Sequence, residues 1–549
     1  LTQGAVADES GRTVNLSDSK VDYRIYWYGE VDVWLDYVRV EDDWSHFLFN
    51  PELEDLEQRT NYKFIHKITQ EVNAFSVSDT GLAYFYMDEY AYNNTPCIAE
   101  VNKIIKQTNA NTGLVSVTCE ECTKRGLRNQ PSDDELYNSL YDEEINTDFI
   151  MVDKYPFSDA FPIPSNLILP NSNQYAGTIH YTKASNPAAY NSYLNSHLIS
   201  NNIISQYKNV SEFVKEKDLV FSFASQIHNY EKPMLCQPSN HSMREPTNEE
   251  ISLQCYLAIA YGAKHIFHFT YSTERYMDNS CSNDSLFLYG MLQTFNQSPR
   301  IYNYYNQNKW TGMKILDSSL LKIGKYLYDE NSLFHDDNRT VDQEGLPFKY
   351  ISDLRSIYRD PQPPYNYATS NIDQTRYWEL GFFNPDLNID PLDKSKYFMA
   401  VNKRCTPEDV YASGDLRTLR IRFDSSQLSG FNNWKVIEAK TNTLIRTFDK
   451  DSNIYVDMGI FQPGEGKLYK LAPVMQEGGT LVADEVCGGF EFECRGEVNN
   501  NGHDVSNSPQ TTILFANSSA RINMNGGSFY SGSSTESIAD IIVCRKAFR

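Results

Sequence analysis

The sequence predicts an α/β fold: a TIM (β/α)8 barrel with an accessory β-sandwich and a C-terminal β-solenoid-like segment. Three observations predict it. From about residue 50, strand-type apolar runs alternate with helix-type periods; Asp88, Glu89, Asp153 and Gln226 fall at the C-terminal ends of strand runs; and no G-x-G-x-x-G or Walker-type loop opens a helix. Units of this length force parallel strands joined by crossover helices, and without a phosphate cradle the closed barrel is favoured over an open nucleotide-binding sheet. The expected domains are 1–45, strands of an N-terminal β-sandwich; 46–395, the barrel; 396–475, a β-sandwich; and 476–549, a β-rich Gly/Asn/Ser segment.

The opening segment alternates apolar and polar residues over Asp22–Tyr28 and again over Val31–Val40, which is the period of strands with one buried face. The chain begins at Leu1 rather than Met, and these strands are expected to be the tail of a sandwich that begins upstream or to pair with something later in the chain. The acidic stretch Pro51–Arg59 suits a helix, and Leu82–Met87 is a buried-type strand running into Asp88-Glu89. Thr95 caps and Pro96 opens a helix whose apolar face is Ile98, Val101, Ile104 and Ile105. Strands follow at Gly113–Val117, Phe149–Val152 and Leu219–Phe223, the last continuing to Gln226. Thr247 with Glu250 forms a capping box, Gly262 stops that helix, and Ile266–Phe269 is the next strand.

The stretch from about 320 to 395, rich in Asp, Asn, Pro and Tyr, reads as long loops and edge strands between domains. From Tyr397 short strands recur at Tyr397–Val401, Leu416–Phe423, Trp434–Glu438, Asn453–Asp457 and Gly466–Leu471, the spacing of a sandwich. After Gly478-Gly479 single apolar residues are set among Gly, Asn and Ser in Thr480–Val482, Thr512–Phe515 and Ala520–Gly527, which suits stacked coils.

Composition excludes some functions. Lys and Arg number 49 against 72 Asp and Glu, a net charge of −23, which works against a nucleic-acid partner because phosphate contacts need clustered cations. No apolar run approaches the roughly 18 residues of a membrane span. Ten cysteines and sequons at Asn15, Asn93, Asn209, Asn240, Asn283, Asn296, Asn338 and Asn517 point to a secreted protein or an extracellular surface, a glycoprotein with disulfides. Cys119-x-x-Cys122 has no second CxxC to complete a metal site, so a disulfide or buried thiols is expected there, and Cys487 with Cys494 suits a local bridge. No metal and no cofactor is expected.

Tyr84–Tyr90 (YFYMDEY), the Thr95-Pro96 helix start, Asp148–Phe157 (DFIMVDKYPF), Arg244–Thr247 (REPT) and Ala260–Tyr271 (AYGAKHIFHFTY) together resemble barrels of the glycoside hydrolase superfamily, clan A in particular. The Tyr397–Val474 segment is similar to the β-sandwich that often follows such barrels, so the resemblance covers about residues 50–475. It implies an acid/base glutamate ending the fourth strand, which falls on Glu89, and a nucleophilic glutamate ending the seventh. The strand Lys264–Phe269, read as that seventh strand, ends instead in Thr270-Tyr271, and the nearest carboxylate is Glu274.

Glycoside cleavage needs two carboxyl groups about 5–5.5 Å apart for retention or about 6.5–9.5 Å for inversion. Glu89 with Asp153 is the first candidate pair, and Glu274 is the alternative partner; each also has a plain reading as a strand-end cap or ion-pair member. Asp88, Tyr90, Tyr155, Gln226 and Tyr271 are the candidate substrate-binding residues, the tyrosines as faces on which sugars stack, although most of the 38 Tyr and 29 Phe must be core. Two functions follow: an extracytoplasmic glycosidase-like protein that cleaves or binds a polysaccharide, or a non-catalytic surface or filament-forming protein on a degenerate barrel, self-associating through its C-terminal segment.

Overall fold

In the computed structural model the described residues are 5–7, 13–15, 68–70, 72–74, 84–87, 95–109, 113–118, 147, 149–157, 168–170, 181–184, 186–231, 243–277, 285–292, 298–303, 307–329, 333–359, 367–372, 377–388, 395–407, 413–428, 431–474 and nine short strands from 479 to 544. The chain divides into two compact units, Leu1–His66 and Lys67–Arg549. In the first, Ala5–Ala7 pairs antiparallel with Thr13–Asn15. The strands expected at 22–28 and 31–40 and the helix at 51–59 lie outside the described residues.

The second unit opens with a five-stranded parallel sheet: β1 (Tyr84–Met87), β2 (Gly113–Thr118), β3 (Phe149–Val152), β4 (Val220–Gln226) and β5 (His265–Phe269). The strands lie side by side in chain order, with no reversal of direction across the sheet. That is the winding of a barrel wall, and it differs from a doubly wound sheet, which turns back at a switch point. Among the described residues the sheet does not close into the ring expected from sequence; β1 and β5 are its edges.

Three of the four crossovers contain described helices. Helix α1 (Thr95–Thr108) joins β1 to β2. Between β3 and β4 runs a long rod: α2 (Pro187–Tyr193), a π-helical stretch (Leu194–Ile204) and α3 (Ser205–Lys217). Asn186 caps its start by accepting from Ala189 N, Pro187 holds the first turn, and Asp218 ends it in the left-handed conformation. Helix α4 (Asn248–Ala260) joins β4 to β5, and its Thr247/Glu250 capping box is formed as expected. Helix α5 (Lys309–Gly324) follows, begun by the Asn308 side chain accepting from Thr311 N.

The stretch 320–395, read as long loops and edge strands, holds the end of α5 and four strands: β6 (Phe334–Thr340), β7 (Ile351–Arg359), β8 (Tyr367–Ile372) and β9 (Trp378–Asn384); β6 and β8 are sheet edges as expected, while β7 and β9 are interior strands. These pair with β10 (Lys396–Asn402), β11 (Arg417–Phe423), β12 (Asn433–Glu438), β13 (Thr443–Asp449), β14 (Val456–Phe461) and β15 (Gly466–Val474). The result is two antiparallel sheets, β6-β9-β10-β15-β12-β13 and β8-β7-β11-β14. They face each other across a core that includes Trp378, Leu380, Phe398, Leu419, Ile421, Trp434 and Val456.

β9 and β10 are buried on both faces, and the structure shows why. Phe398 and Ala400 point into the core between the sheets, whereas Tyr397, Met399 and Val401 join the other core, around Ile251, Leu253 and Leu257 of α4. A strand buried on both sides loses its period-two signature. Glycines let α4 settle onto this sheet: a Cβ at Gly381 would stand 2.2 Å from Ala260 O, and one at Gly464 2.1 Å from Glu249 O.

The C-terminal segment contains three parallel three-stranded sheets, made from β16 (Gly479–Thr480), β17 (Glu485–Cys487), β18 (Glu491–Cys494), β19 (Glu497–Asn499), β20 (Val505–Asn507), β21 (Thr512–Phe515), β22 (Arg521–Asn523), β23 (Phe529–Ser531) and β24 (Val543–Cys544). Each strand pairs with the one three elements later: β16-β19-β22, β17-β20-β23 and β18-β21-β24. Cys255 and Cys405 are buried free thiols, and the side chains of Cys119, Cys122, Cys487 and Cys494 lie outside the described residues. The sequon asparagine Asn338 is committed inside the fold, its amide nitrogen donating to Ala260 O at 2.9 Å, while Asn209 is exposed on α3.

Candidate functional site

In a parallel sheet the strand C-termini lie at one edge, where the loops that follow converge. Here that edge brings together Asp153 to Phe157 after β3, Gln226 to Asn229 around the end of β4, and Phe269 to Tyr271 at the end of β5. Asp153 is buried directly after β3. Tyr155 sets its ring edge-on to His228 at 4.8 Å and stacks on Phe269 at 5.7 Å.

Gln226 is fully buried and braced. Its backbone N–H donates to Gln254 Oε1 at 3.0 Å, its Oε1 accepts from Phe157 N at 3.0 Å, and its Nε2 reaches Arg244 O at 3.2 Å. Beside it His228 donates through Nδ1 to Phe269 O at 2.8 Å. Burial, the largest cause, pulls His228 down to about 4, helped by the Lys309 charge and opposed by Glu245 and the Phe269 carbonyl bond, so the ring is neutral at pH 7.

Beneath this edge lies a buried charge network that the sequence reading did not find. Glu245 binds Lys309 at 2.8 Å and Arg300 at 2.7 Å, and the Lys309 ammonium also donates to Ile227 O. Burial pulls the Lys309 ammonium down, while Glu245 pushes it back up. Arg244 and Tyr190 together bind Glu250. The Arg244–Thr247 run was visible in sequence, but Arg300 and Lys309 lie more than fifty residues away with no local pattern to mark them.

On the solvent side Phe267, Phe269 and Tyr271 are 46%, 38% and 59% exposed; Phe267 and Phe269, alternate residues of β5, share a face, and Tyr271 follows the end of the strand. Tyr271 also lines a cavity of about 200 Å³ with Trp310, Met291 and His268. Asp88, Glu89 and Tyr90 lie outside the described residues, and Glu274 opens the strand Glu274–Met277 with its side chain likewise undescribed. Among the described residues no cluster of His, Cys, Asp and Glu is placed to hold a metal ion, and no helix is long and apolar enough to cross a membrane.

The strand order changes one assignment. Counting neighbours from β1, which leads to Glu89, the third strand on is β4 and not β5. Were β1 the fourth strand of such a barrel, as the resemblance implies, the seventh would be β4, which ends at Gln226, a carboxamide.

No family model and no curated protein matches this chain. Solved structures similar to it include a GH27 β-L-arabinopyranosidase from Geobacillus stearothermophilus (8% identity, TM-score 0.32, 76% of this chain and 62% of that one) and an α-amylase from Geobacillus thermoleovorans complexed with acarbose (10%, 0.34, 76% and 64%). A putative α-N-acetylgalactosaminidase from Bacillus halodurans is similar at 9% identity and TM-score 0.23, over 74% and 93% of the two chains. The chain thus spans about three fifths of the length of the first two.

Proposed function

We propose that this protein is a glycosidase-like carbohydrate-recognition protein that holds a saccharide along the C-terminal edge of its parallel sheet. The observation that carries the reading is the exposed pair Phe267 and Phe269 on one face of β5, with Tyr155 stacked on Phe269 and the exposed Tyr271 directly after the strand. Exposed aromatic side chains grouped at the ligand-binding edge of such a sheet mark an interaction surface, and ring faces suit the C–H faces of sugars.

Recognition is favoured over cleavage because Gln226 occupies the strand end where the resemblance puts a nucleophile, and its amide is spent on backbone partners. Hydrolysis would have to run through Glu89 as proton donor with Asp153 or Glu274 opposite, and Asp88, Tyr90 and Tyr155 contacting the sugar. Measuring reducing-sugar release and binding on the same polysaccharide panel separates the two. Binding without release, unaltered by Glu89→Gln, supports recognition; release abolished by Glu89→Gln establishes a hydrolase; and no binding to any glycan rejects both.

A second reading, a self-associating surface protein, is favoured by the C-terminal strands. Parallel pairing of every strand with the third one on is how the coils of a β-solenoid stack, and the last coil presents unpaired edges that a second copy can extend. Light scattering of the full chain and of a chain ending at residue 475 tests it: a shared monomer mass removes this reading. Export to the cell exterior belongs to the same proposal, with Asn209 as its exposed sequon, and a mass shift on enzymatic deglycosylation checks it.

A further inference from the structure

Helical serines in this protein ordinarily donate to the carbonyl four residues back: Ser205 to Asn201 O, Ser252 to Asn248 O and Ser319 to Ile315 O. Ser211, in α3, departs from the pattern and meets Nδ1 of His335 at 2.9 Å. The far side of that ring fixes which atom carries the proton. Asn338 donates its amide nitrogen to Ala260 O at 2.9 Å, so its Oδ1 faces His335 Nε2 at 2.5 Å and must accept from it. With Nε2 protonated, Nδ1 is the free base and Ser211 is the donor.

The ring is held firmly. It lies between Tyr261, stacked at 6.4 Å, and Phe383, edge-on at 5.9 Å. Gly262, at φ +92°, makes room for it, since a Cβ there would stand 2.7 Å from His335 Cβ. Ser211, His335 and Asn338 all line a cavity of about 450 Å³ between the helical rod and β6, whose walls include Lys208 one turn before Ser211.

We propose that Ser211, otherwise buried but opening onto this cavity, and His335 are a nucleophile and general base that hydrolyse a small acyl ester there, with Asn338 as the positioning residue. A nucleophile on one ring nitrogen and an orienting group on the other is the arrangement of Ser-His-Asp and Cys-His-Asn hydrolases. Ser211 Oγ attacks the acyl carbonyl as its proton passes to His335 Nδ1; collapse expels the alkoxide, which takes that proton and leaves as the alcohol. Water then attacks the acyl-serine, giving its proton to His335, and departure of the carboxylic acid returns the proton to Ser211. The Lys208 ammonium lines the same cavity as the cation available to the developing oxyanion.

The test uses the full chain with a fluorophosphonate probe and with p-nitrophenyl acetate. Peptide mapping should find the phosphonate on Ser211; Ser225, whose hydroxyl meets His268 at 2.6 Å but which is absent from the lining of the cavity beside that ring, is the internal control. Ester hydrolysis should fall at least about 100-fold in Ser211→Ala and His335→Gln. Asn338→Ala should lower kcat with KM held, and Asn338→Asp should restore part of it. Burial takes His335 down to about 4, opposed by the Asn338 hydrogen bond and by Asp336 and Asp337 on its own strand and helped by Lys215 on α3; Lys208 and Glu212 of α3, Glu344 and the Tyr261 hydroxyl are further titratable groups lining the same cavity. The rate should therefore hold from pH 8 to about 5 and drop only toward 4. Should Ser211→Ala not fold, Ser211→Cys must react with iodoacetamide faster than the buried Cys405 and slow when His335→Gln is added. An unlabelled Ser211 in folded protein, hydrolysis unchanged in Ser211→Ala, or a thiol introduced by Ser211→Cys that reacts as slowly as that of Cys405 overturns the proposal.

Discussion

Arg244 grips Glu250 with both ends of its guanidinium, Nη1 to Oε2 at 2.8 Å and Nη2 to Oε1 at 2.6 Å, while Thr247 N donates to that same Oε2 at 2.9 Å. One buried carboxylate therefore closes an ion pair and begins α4. Glu250→Ala removes both and strands a largely buried cation, so urea unfolding at pH 7 should show a loss of about 3–5 kcal/mol. Glu250→Gln keeps the cap and should cost less. Equal losses would show that the charge contributes nothing.

Gly464 lies at φ +68° with Glu249 O where its Cβ would be. Gly464→Ala should lose about 2 kcal/mol or more, seen as a fall in melting temperature. Gly414→Ala, at a glycine whose Cβ would meet nothing within 4 Å, should stay within about 0.5 kcal/mol.

His228 should make the fold acid-sensitive. Its folded pKa, about 4, lies below the unfolded value near 6.5, so above pH 6.5 both states are neutral and stability is unaffected. As the pH falls from 6.5, the unfolded chain binds a proton that the folded chain refuses, and stability declines until the folded ring protonates near 4. A shift of this size is worth about 3 kcal/mol. Buried Glu249, Glu379 and Glu465, each raised mainly by desolvation, act in the opposite sense because the folded state takes up their protons first. The comparison that isolates His228 is wild type against His228→Gln, which should close by about 3 kcal/mol between pH 7 and pH 4; parallel curves would refute the buried neutral ring.

Phe269→Ala and Tyr271→Ala should separate recognition from folding. Both side chains are substantially exposed, so chemical denaturation should move by less than about 1 kcal/mol. Affinity for a bound glycan should drop about tenfold or more in isothermal titration. Unchanged affinity in the double variant would remove the aromatic row from the site.

Much of the fold was legible wherever local chemistry decides structure. The Thr247 cap, the Gly262 stop and the strand ending at Gln226 all follow from neighbouring residues. Strand β13 was missed because it is an edge strand exposed along most of its length, although its partner β12 adjoins it in sequence; in 334–384 the pattern depends on distant partners, and His335 and Asn338 look like polar loop residues until β6 is laid against β9. The same distance hid the cluster of Ser211 and His335, 124 positions apart, and that of Glu245 and Lys309, 64 apart. Asn338 was visible as a sequon, but its hydrogen bonds give it a structural task instead.

Helix α4 has no wet side. It touches β4 in front and β9, β10 and β15 behind, so a single apolar cluster runs from Phe221 through Leu257 to Leu468. A fragment ending near residue 330 would expose this helix to water along its length and have nothing to clothe it with. The parallel sheet and the antiparallel pair should accordingly melt in one step, and neither is a module that can be cut out and moved elsewhere.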